Sequence, residues 1–279
     1  MTPPPLSSPL PVPRLIATDL DGTLLRTDGT VSARTQAALT LAEDAGLCIV
    51  FVTGRPPRWM ESLTQHIGRH GVAICSNGGA VYDVRRKEIV ESFPLRVEDS
   101  LALVATLRHA LPGVAFAFEY PTGFSHEPHY DSRMWDAGGV RQVAAAEELL
   151  AASDADTVFK VLARVPGLDP DEMLRRACAA AGGLAEITRS SPLLEISAKG
   201  VSKATTLARW CAERGVVAAE VVAFGDMPND LPMLAWAGRG FAVANAHAEV
   251  LAATGLRAGD HQEDGVAVAI EQLVATLPR

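Results

Sequence analysis

Short apolar runs alternate with helical patterns in the first and last thirds of the chain. The expected strands cover residues 15–18, 47–52, 72–76, 221–224 and 241–244. The expected helices cover residues 31–45, 58–67, 203–214, 231–237 and 266–275. Such alternation is typical of βαβ units around a parallel sheet, because each helix returns the chain to the same end of the sheet. The two ends of the chain therefore predict one α/β domain with a doubly wound, Rossmann-like parallel sheet.

The rhythm changes in the middle of the chain. Expected helices over 97–110, 141–152 and 171–180 are mixed there with expected strands over 114–119, 157–163, 184–188 and 193–197. An irregular, aromatic and His-rich loop is expected over 120–135. We therefore predict a core formed by residues 14–91 and 198–279, an inserted α+β domain over 92–197, and a loose N-terminal tail over 1–13.

Composition limits the class of protein. A chain of 279 residues with 48% apolar residues is large enough for about two packed domains. The formal net charge of −8 argues against a general nucleic-acid binder. We find no signal peptide and no membrane-spanning run, and the four widely spaced cysteines predict reduced thiols in a cytoplasmic protein with no membrane partner. The sequence leaves the oligomeric state open.

Two aspartates stand where the first expected strand ends, in Asp19-Leu20-Asp21-Gly22-Thr23. Residues two apart on a strand point the same way, so both carboxylates can face one site. Gly22 allows a turn there, and we expect Thr23 to bond nearby backbone groups. Two carboxylates so placed repel each other unless a cation or a shared proton lies beside them.

Two further groups of polar residues come before expected helices. Thr53-Gly54-Arg55 follows the second strand, where a hydroxyl and a Gly amide suit an anion; a capped turn is the alternative interpretation. Lys203 opens a helix after a Gly turn and, taken alone, is typical of a surface lysine.

A last acidic group follows the strand over 221–224. Gly225-Asp226-Met227-Pro228-Asn229-Asp230 adds two carboxylates in a Gly and Pro turn. Hard oxygen ligands of this kind suit Mg²⁺, and there is no Cys or His spacing typical of zinc.

In this order, the four elements resemble the haloacid dehalogenase (HAD) superfamily of phosphohydrolases. The elements are D-L-D-G-T, T-G-R, a Lys after a large insertion, and G-D-x-x-N-D. S-N-G-G-A over 76–80, the insertion after it and E-D-G-V-A over 263–267 are similar to the Cof-type (HAD-IIB) branch. The resemblance spans residues 14–275 and shows no departure at the matching catalytic positions. It implies a Rossmann-like core with the insertion acting as a cap.

The resemblance also implies roles for the aspartates. Asp19 would be the nucleophile that forms an aspartyl-phosphate, and Asp21 would act first as general acid and then as general base. Mg²⁺ would be held by Asp19, the backbone carbonyl of Asp21 and Asp226. Asp230 would be a supporting group or a further ligand, and Asn229 would be a supporting group that also binds phosphate or substrate.

Phosphate and substrate binding would involve the remaining elements. Thr53, the Gly54 amide and Lys203 would hold the phosphoryl oxygens, with Arg55 as a further position that contacts substrate. Asn77 would contact substrate or brace its loop, and bracing is the expected role. We expect Asn245 to be a turn residue and Glu263-Asp264-Gly265 to be a structural helix start.

Substrate selectivity is expected in the insertion. The candidates share amphipathic or ionisable side chains in one irregular stretch: Glu119, Tyr120, His126, His129, Tyr130, Arg133 and Trp135. The alternative is a surface loop with a few packed aromatic residues. The spacing of His126 and His129 does not favour a metal site.

These features predict a Mg²⁺-dependent phosphatase that hydrolyses small phosphorylated metabolites, such as sugar phosphates or phosphorylated cofactors, through an aspartyl-phosphate. One alternative is a phosphomutase or phosphotransferase with the same nucleophile. Alternatives of another class are a receiver-like signalling module and a non-catalytic phosphate-binding module. The chain length, the large insertion and the D-x-D arrangement count against a receiver.

Overall fold

The protein is seen here in a computed structural model that describes residues 11–61, 71–121, 123–131, 140–152, 158–190 and 192–278. The strands in these ranges form two sheets. In chain order they are β1 (Leu15–Thr18), β2 (Cys48–Val52), β3 (Val72–Cys75), β4 (Ala80–Asp83), β5 (Glu88–Ser92), β6 (Ala115–Tyr120), β7 (Gly123–His126), β8 (Val140–Val143), β9 (Lys160–Arg164), β10 (Ala185–Ser190), β11 (Leu193–Ala198), β12 (Val221–Gly225), β13 (Arg239–Ala242) and β14 (Leu256–Arg257).

The helices in the described ranges come from both ends and the middle of the chain. They are α1 (Ala33–Asp44), α2 (Val97–Ala110), α3 (Ala146–Ala152), α4 (Pro170–Ala181), α5 (Lys203–Glu213), α6 (Leu231–Trp236), α7 (Ala248–Ala253) and α8 (Gly265–Ala275). A 3₁₀ turn at Pro57–Trp59 opens the segment expected to be helical over 58–67, and residues 62–67 of that segment lie outside the described part.

The larger sheet, called the core sheet below, has eight strands in the order β14-β13-β12-β1-β2-β3-β4-β5. Neighbours from β14 to β3 pair in parallel, and β4 and β5 add an antiparallel hairpin. All residues of β1 and β12 are buried, as in parallel strands covered on both faces. The predicted α/β class with a doubly wound parallel sheet is confirmed.

The inserted sheet lies between β5 and β12 in sequence and has the order β10-β11-β9-β6-β7-β8. Its pairs are antiparallel except for β7 with β8. One face packs against α2 and α4 through buried side chains that include Phe116, Phe118 and Ile196. The predicted inserted α+β unit is therefore present, whereas its limits at residues 92 and 197 stay a prediction.

Two predicted elements in the insertion are wrong in part. The stretch expected to be one helix over 141–152 is strand β8 followed by α3, and the stretch expected to be irregular contains strand β7. All four residues of β8 are exposed, so its sequence lacks the alternation of apolar and polar residues by which a strand is predicted. It forms because its backbone pairs with β7, a tertiary effect that overrides local pattern.

Helix α5 begins with a capping box that fixes the position of its first residue, Lys203. The Ser202 hydroxyl accepts the backbone N–H of Thr205, and the Thr205 hydroxyl accepts the backbone N–H of Ser202. Gly200 has a φ of +76° and lets the chain turn into the helix. Local sequence therefore sets where the Lys203 side chain starts.

The contacts of the segment before α8 fit the structural role expected for it. Asp264 takes a left-handed conformation at the start of the helix and accepts a hydrogen bond from Arg26. The Asn245 side chain donates to the carbonyl of Gly22 and accepts the N–H of His261, so it joins this region to the first loop. Among the described residues, no helix is long and apolar enough to cross a membrane.

Gly265 provides a test of this packing. A Cβ at this position would lie 2.1 Å from the carbonyl oxygen of Gly259. We expect Gly265→Ala to lower the free energy of unfolding by about 1–3 kcal/mol, the usual cost of overpacking. Gly255→Ala is the matched control, because a Cβ there meets nothing within 4 Å. Urea unfolding of both variants checks this, and equal midpoints would contradict it.

Candidate active site

The site forms where the connections of the core sheet change direction. Strands β1 and β12 are neighbours, with β2 and β3 following on one side and β13 and β14 on the other. Such a reversal leaves a crevice at the carboxyl ends of the strands. Asp19 directly follows β1 and Asp226 directly follows β12, so the sheet order brings residues from opposite ends of the chain to one crevice.

Hydrogen bonds hold the loops after these two strands together. The backbone N–H of Asp19 donates to the carbonyl of Phe224 at 3.0 Å. The Thr23 hydroxyl donates to Oδ1 of Asp226 at 2.9 Å, and this corrects our expectation that it bonds backbone groups. Gly22 has a φ of +75°, and a Cβ there would lie 2.4 Å from Oδ2 of Asp226. Glycine at this position therefore leaves room for the Asp226 carboxylate.

Lys203 is buried among carboxylates. Its Nζ lies 2.7 Å from Oδ1 of Asp19 and 2.7 Å from Oδ1 of Asp230. The second oxygen of Asp230 accepts the backbone N–H groups of Asp226 and Met227. Asp19, Asp226, Asp230 and Lys203 are all buried, so their charges interact with little screening by water.

Burial has consequences for the charges in this cluster. It raises the pKa of Asp19 well above the ordinary value, in spite of Lys203. Burial and, next, the negative charge of Asp230 raise the pKa of Asp226 to about 6. Burial alone would lower the pKa of Lys203, but Asp19 and Asp230 together raise it. One ammonium group thus faces three carboxylates, and the cluster lacks positive charge.

The same carboxylates fit a divalent cation. One oxygen each from Asp19, Asp226 and Asp230 lies within 4.8 Å of the others. Carboxylate oxygens are the ligands of hard cations such as Mg²⁺ and Ca²⁺, and a divalent ion would supply the positive charge that the cluster lacks. The donor set therefore fits a hard divalent metal.

The loop after β2 contains the T-G-R residues. Thr53 is fully buried, its N–H donates to the carbonyl of Ile74, and its hydroxyl oxygen accepts the N–H of Arg55 at 3.0 Å. Gly54 and Arg55 line the cavity described below, and Thr53 is not among its lining residues.

Arg55 is paired with Asp21. Its Nε and Nη2 donate to the two oxygens of Asp21 at 2.7 and 2.5 Å. The side chain of Asp21 is 58% exposed, in contrast to buried Asp19. The two aspartates of D-L-D therefore have different surroundings, one among buried charges and the other at the mouth of the site beside a guanidinium group.

Asn77 follows β3 and connects three parts of the site. Its N–H donates to the carbonyl of Thr53, and its side-chain NH₂ donates to Oε2 of Glu195 at 3.1 Å. Asn229 donates to Oδ1 of Asn77 at 3.4 Å. Asn77 adopts φ +55°, a conformation that asparagine tolerates better than most residues. These contacts fit the bracing role expected for Asn77.

A cavity of about 350 Å³ lies over this cluster. Its lining combines charged residues at the floor with residues of both sheets: Asp19, Asp21, Gly54, Arg55, Pro56, Arg58, Trp59, Glu119, Phe124, Lys160, Leu162, Leu193, Glu195, Lys203, Met227 and Asn229. Asp226 and Asp230 are buried and are absent from this lining.

Of the residues expected to set selectivity, Glu119 lines the cavity. The lining does not include Tyr120, His126 or Tyr130, which are buried elsewhere. It does not include His129 either, which is exposed. Nδ1 of His126 is 2.8 Å from the carbonyl oxygen of Glu127, as in a packed structural histidine. Arg133 and Trp135 lie outside the described residues.

Sequence analysis missed a buried ion pair that reaches the loop containing Thr53, Gly54 and Arg55. Nζ of Lys160 lies 2.5 Å from Oε1 of Glu195 and donates to the carbonyl of Gly54 at 2.7 Å. Burial raises the pKa of Glu195, but Lys160 and the Asn77 amide outweigh it, so that this pKa falls below its ordinary value. A charged residue within each of two apolar strand runs was the signal that could have shown both side chains to be buried.

A second ion pair joins the two sheets. Arg58 donates from Nε and Nη2 to the two oxygens of Glu119, at 2.9 and 3.1 Å. Burial raises the pKa of Glu119 more than Arg58 and Lys160 lower it. Glu119 therefore depends on its partner to remain charged.

The family profile of haloacid dehalogenase-like hydrolases matches residues 16–270. The chain belongs to this family. It is 31% identical over 263 residues to the pyridoxal phosphate phosphatase YbhA of Escherichia coli (strain K12), covering 91% of this chain and 96% of the relative. It is 29% identical over 265 residues to the 5-amino-6-(5-phospho-D-ribitylamino)uracil phosphatase YcsE of Bacillus subtilis (strain 168), covering 94% and 96%.

Solved structures agree with this assignment. A haloacid dehalogenase-like hydrolase from Bacteroides thetaiotaomicron superposes with a TM-score of 0.75 at 26% identity, covering 94% of this chain and 99% of that one. The predicted membership of the Cof-type (HAD-IIB) branch is confirmed, and so is the predicted enzyme class, a phosphoric monoester hydrolase.

The buried pair of Lys160 and Glu195 can be tested through stability. Lys160→Met leaves the Glu195 carboxylate buried without its cation, and we expect a loss of about 3–5 kcal/mol in the free energy of unfolding. The double variant Lys160→Met/Glu195→Gln should recover most of it, since neither charge remains.

Lys87→Met is the control for this comparison, because Lys87 pairs with Glu61 at an exposed position and such pairs contribute about 1 kcal/mol or less. Urea unfolding measures all three variants. A double variant no more stable than Lys160→Met would contradict the ion-pair interpretation.

Proposed function

We propose that this hydrolase is a Mg²⁺-dependent phosphatase that removes phosphate from small metabolites through an aspartyl-phosphate on Asp19. The observation that carries the proposal is the buried cluster of Asp19, Asp226 and Asp230 with Lys203, of which Asp19 and Lys203 line a cavity of small-molecule size. Sugar phosphates and phosphorylated cofactors are the candidate substrates. Relatives named for pyridoxal phosphate and for a ribitylamino-uracil phosphate support this range.

The reaction has two displacements. In the first, an oxygen of Asp19 bonds to phosphorus while the bond from phosphorus to the alcohol oxygen breaks, and protonated Asp21 gives its proton to that leaving oxygen. In the second, water attacks phosphorus, Asp21 takes a proton from the water, and the bond from phosphorus to Asp19 breaks. Inorganic phosphate and the alcohol are the products.

An anionic nucleophile approaches an anionic phosphate only when both charges are offset. Lys203 lies within hydrogen-bond distance of Asp19 and can also face a phosphoryl oxygen. Asp19, the backbone carbonyl of Asp21 and Asp226 would hold Mg²⁺, with Asp230 and Asn229 supporting them. When bound, the ion supplies positive charge against the phosphoryl oxygens.

The T-G-R loop would complete the phosphate site. Because the Thr53 oxygen already accepts the N–H of Arg55, its own proton can be donated to a phosphoryl oxygen. The Gly54 amide is the second expected donor. The pair of Arg55 with Asp21 orients the carboxylate that handles the proton.

Replacing the nucleophile tests the assignment. We expect Asp19→Asn to lower Mg²⁺-dependent release of phosphate from 4-nitrophenyl phosphate by several orders of magnitude, because an amide oxygen is a poor nucleophile. Asp44→Asn, an exposed position at the end of α1, is the control and should keep normal turnover. Near-normal turnover of a folded Asp19→Asn variant would falsify the role of Asp19.

We expect activity to require a divalent metal, and the amount of Mg²⁺ required to depend on pH. Removing divalent ions with EDTA should abolish turnover, and Mg²⁺ should restore it. Since Asp226 has a pKa of about 6 without metal, protons compete with Mg²⁺ below that pH. We therefore expect the Mg²⁺ concentration for half-maximal activity to rise as pH falls from 7 to 5. Full activity after exhaustive EDTA treatment would contradict the metal assignment.

A further inference from the structure

The side of the inserted sheet that lines the cavity is called the cap face here. Strand periodicity separates it from the sheet's own core, because alternate residues point to opposite sides. Phe116, Phe118, Val161, Leu194 and Ile196 pack into the core with α2 and α4. The cap face consists of the residues between them and on the neighbouring strand, namely Glu119, Phe124, Lys160, Leu162, Leu193 and Glu195.

The charged groups of the cap face already have partners. Glu119 is held by two hydrogen bonds from Arg58. Lys160 donates to Glu195 and to the Gly54 carbonyl, and the second oxygen of Glu195 accepts the Asn77 amide. A ligand hydroxyl that displaced one of these contacts would leave a buried charge poorly paired, which is costly. These charges therefore shape the cavity and leave few hydrogen bonds for a polyol.

Beyond the charged groups near Asp19 and Lys203, and apart from Arg55 and Asn229, the remaining wall is mainly apolar. Phe124, Leu162 and Leu193 belong to the cap face, and Trp59 and Met227 come from the side of the core sheet. A sugar against these side chains would lose water without gaining replacement hydrogen bonds. An aromatic ring would instead bury apolar surface and could contact the ring of Phe124.

We propose that the alcohol released by this enzyme carries a planar aromatic or heteroaromatic ring, and that the cap face selects it over polyhydroxylated sugars. The inference rests on the proposed phosphatase function and narrows the substrate class of the same site. The volume of about 350 Å³ lies at the small end of the range for ligand sites, which fits one ring bearing a phosphorylated side arm.

Two phosphate esters of primary alcohols allow the effect of the ring to be measured while the type of leaving group stays the same. Benzyl phosphate carries an aromatic ring without hydroxyl groups, and glucose 6-phosphate carries a polyol, while both leave as primary alcohols. With the full-length enzyme and Mg²⁺, we expect kcat/KM for benzyl phosphate to exceed that for glucose 6-phosphate at least tenfold.

A variant pair locates the preference on the cap face. Phe124→Leu should lower kcat/KM for benzyl phosphate by about three- to tenfold, the range expected for one aromatic contact. It should lower kcat/KM for glucose 6-phosphate by a smaller factor, so that the ratio between the two substrates falls. Phe118→Leu makes the same substitution on the opposite face of the inserted sheet and should preserve the preference. Thermal unfolding of both variants shows that they are folded.

Acetyl phosphate, which has no ring and no polyol, distinguishes a failure of the aromatic preference from a failure of the proposed phosphatase function. If it is hydrolysed but glucose 6-phosphate is used as well as or better than benzyl phosphate, the aromatic preference is overturned and the phosphatase function stands. If none of the three compounds is hydrolysed, the proposed function fails. Calorimetric affinities for the two unreacted esters then decide the preference, which stands if benzyl phosphate binds at least tenfold more tightly and is overturned otherwise.

Discussion

The contact on which the site depends is the one between the Lys203 ammonium and the buried carboxylates of Asp19 and Asp230. A buried charge is costly unless it is paired, so this contact offsets part of a large desolvation penalty. It also joins the loop after β1, the loop after β12 and the start of α5. The order of the core sheet brings these three pieces together, and Thr23 and Gly22 let the two loops approach closely.

The two sheets divide the work of the site. The core sheet supplies the carboxylates, the lysine and the loop at Thr53, which together handle a phosphoryl group in our proposal. The inserted sheet supplies the cap face, whose apolar residues would meet the rest of the substrate in the same proposal. In this proposal, reaction chemistry and selectivity thus belong to separate layers, and residues of both layers line the cavity.

Sequence reasoning found the elements whose signal is local. Strand β1 and the aspartates after it could be predicted because a buried run, a Gly turn and a pair of acids lie within nine residues. It missed what depends on pairing across the fold. Lys160 and Glu195 are 35 residues apart, and Arg58 and Glu119 are 61 apart, so nothing local shows that they meet. Exposed strand β8 was missed because it lacks apolar alternation.

The hydrogen bonds from Lys160 to the Gly54 carbonyl and from Asn77 to Glu195 have a consequence for how such enzymes diverge. They tie the inserted sheet to the backbone and side chains of the loops that would hold phosphate. If the insertion is transferred between relatives, the residues at positions 160 and 195 must therefore still be able to form these hydrogen bonds with positions 54 and 77. Residues such as Leu162 and Leu193, which have no polar partner to lose, are free to vary during adaptation to new substrates.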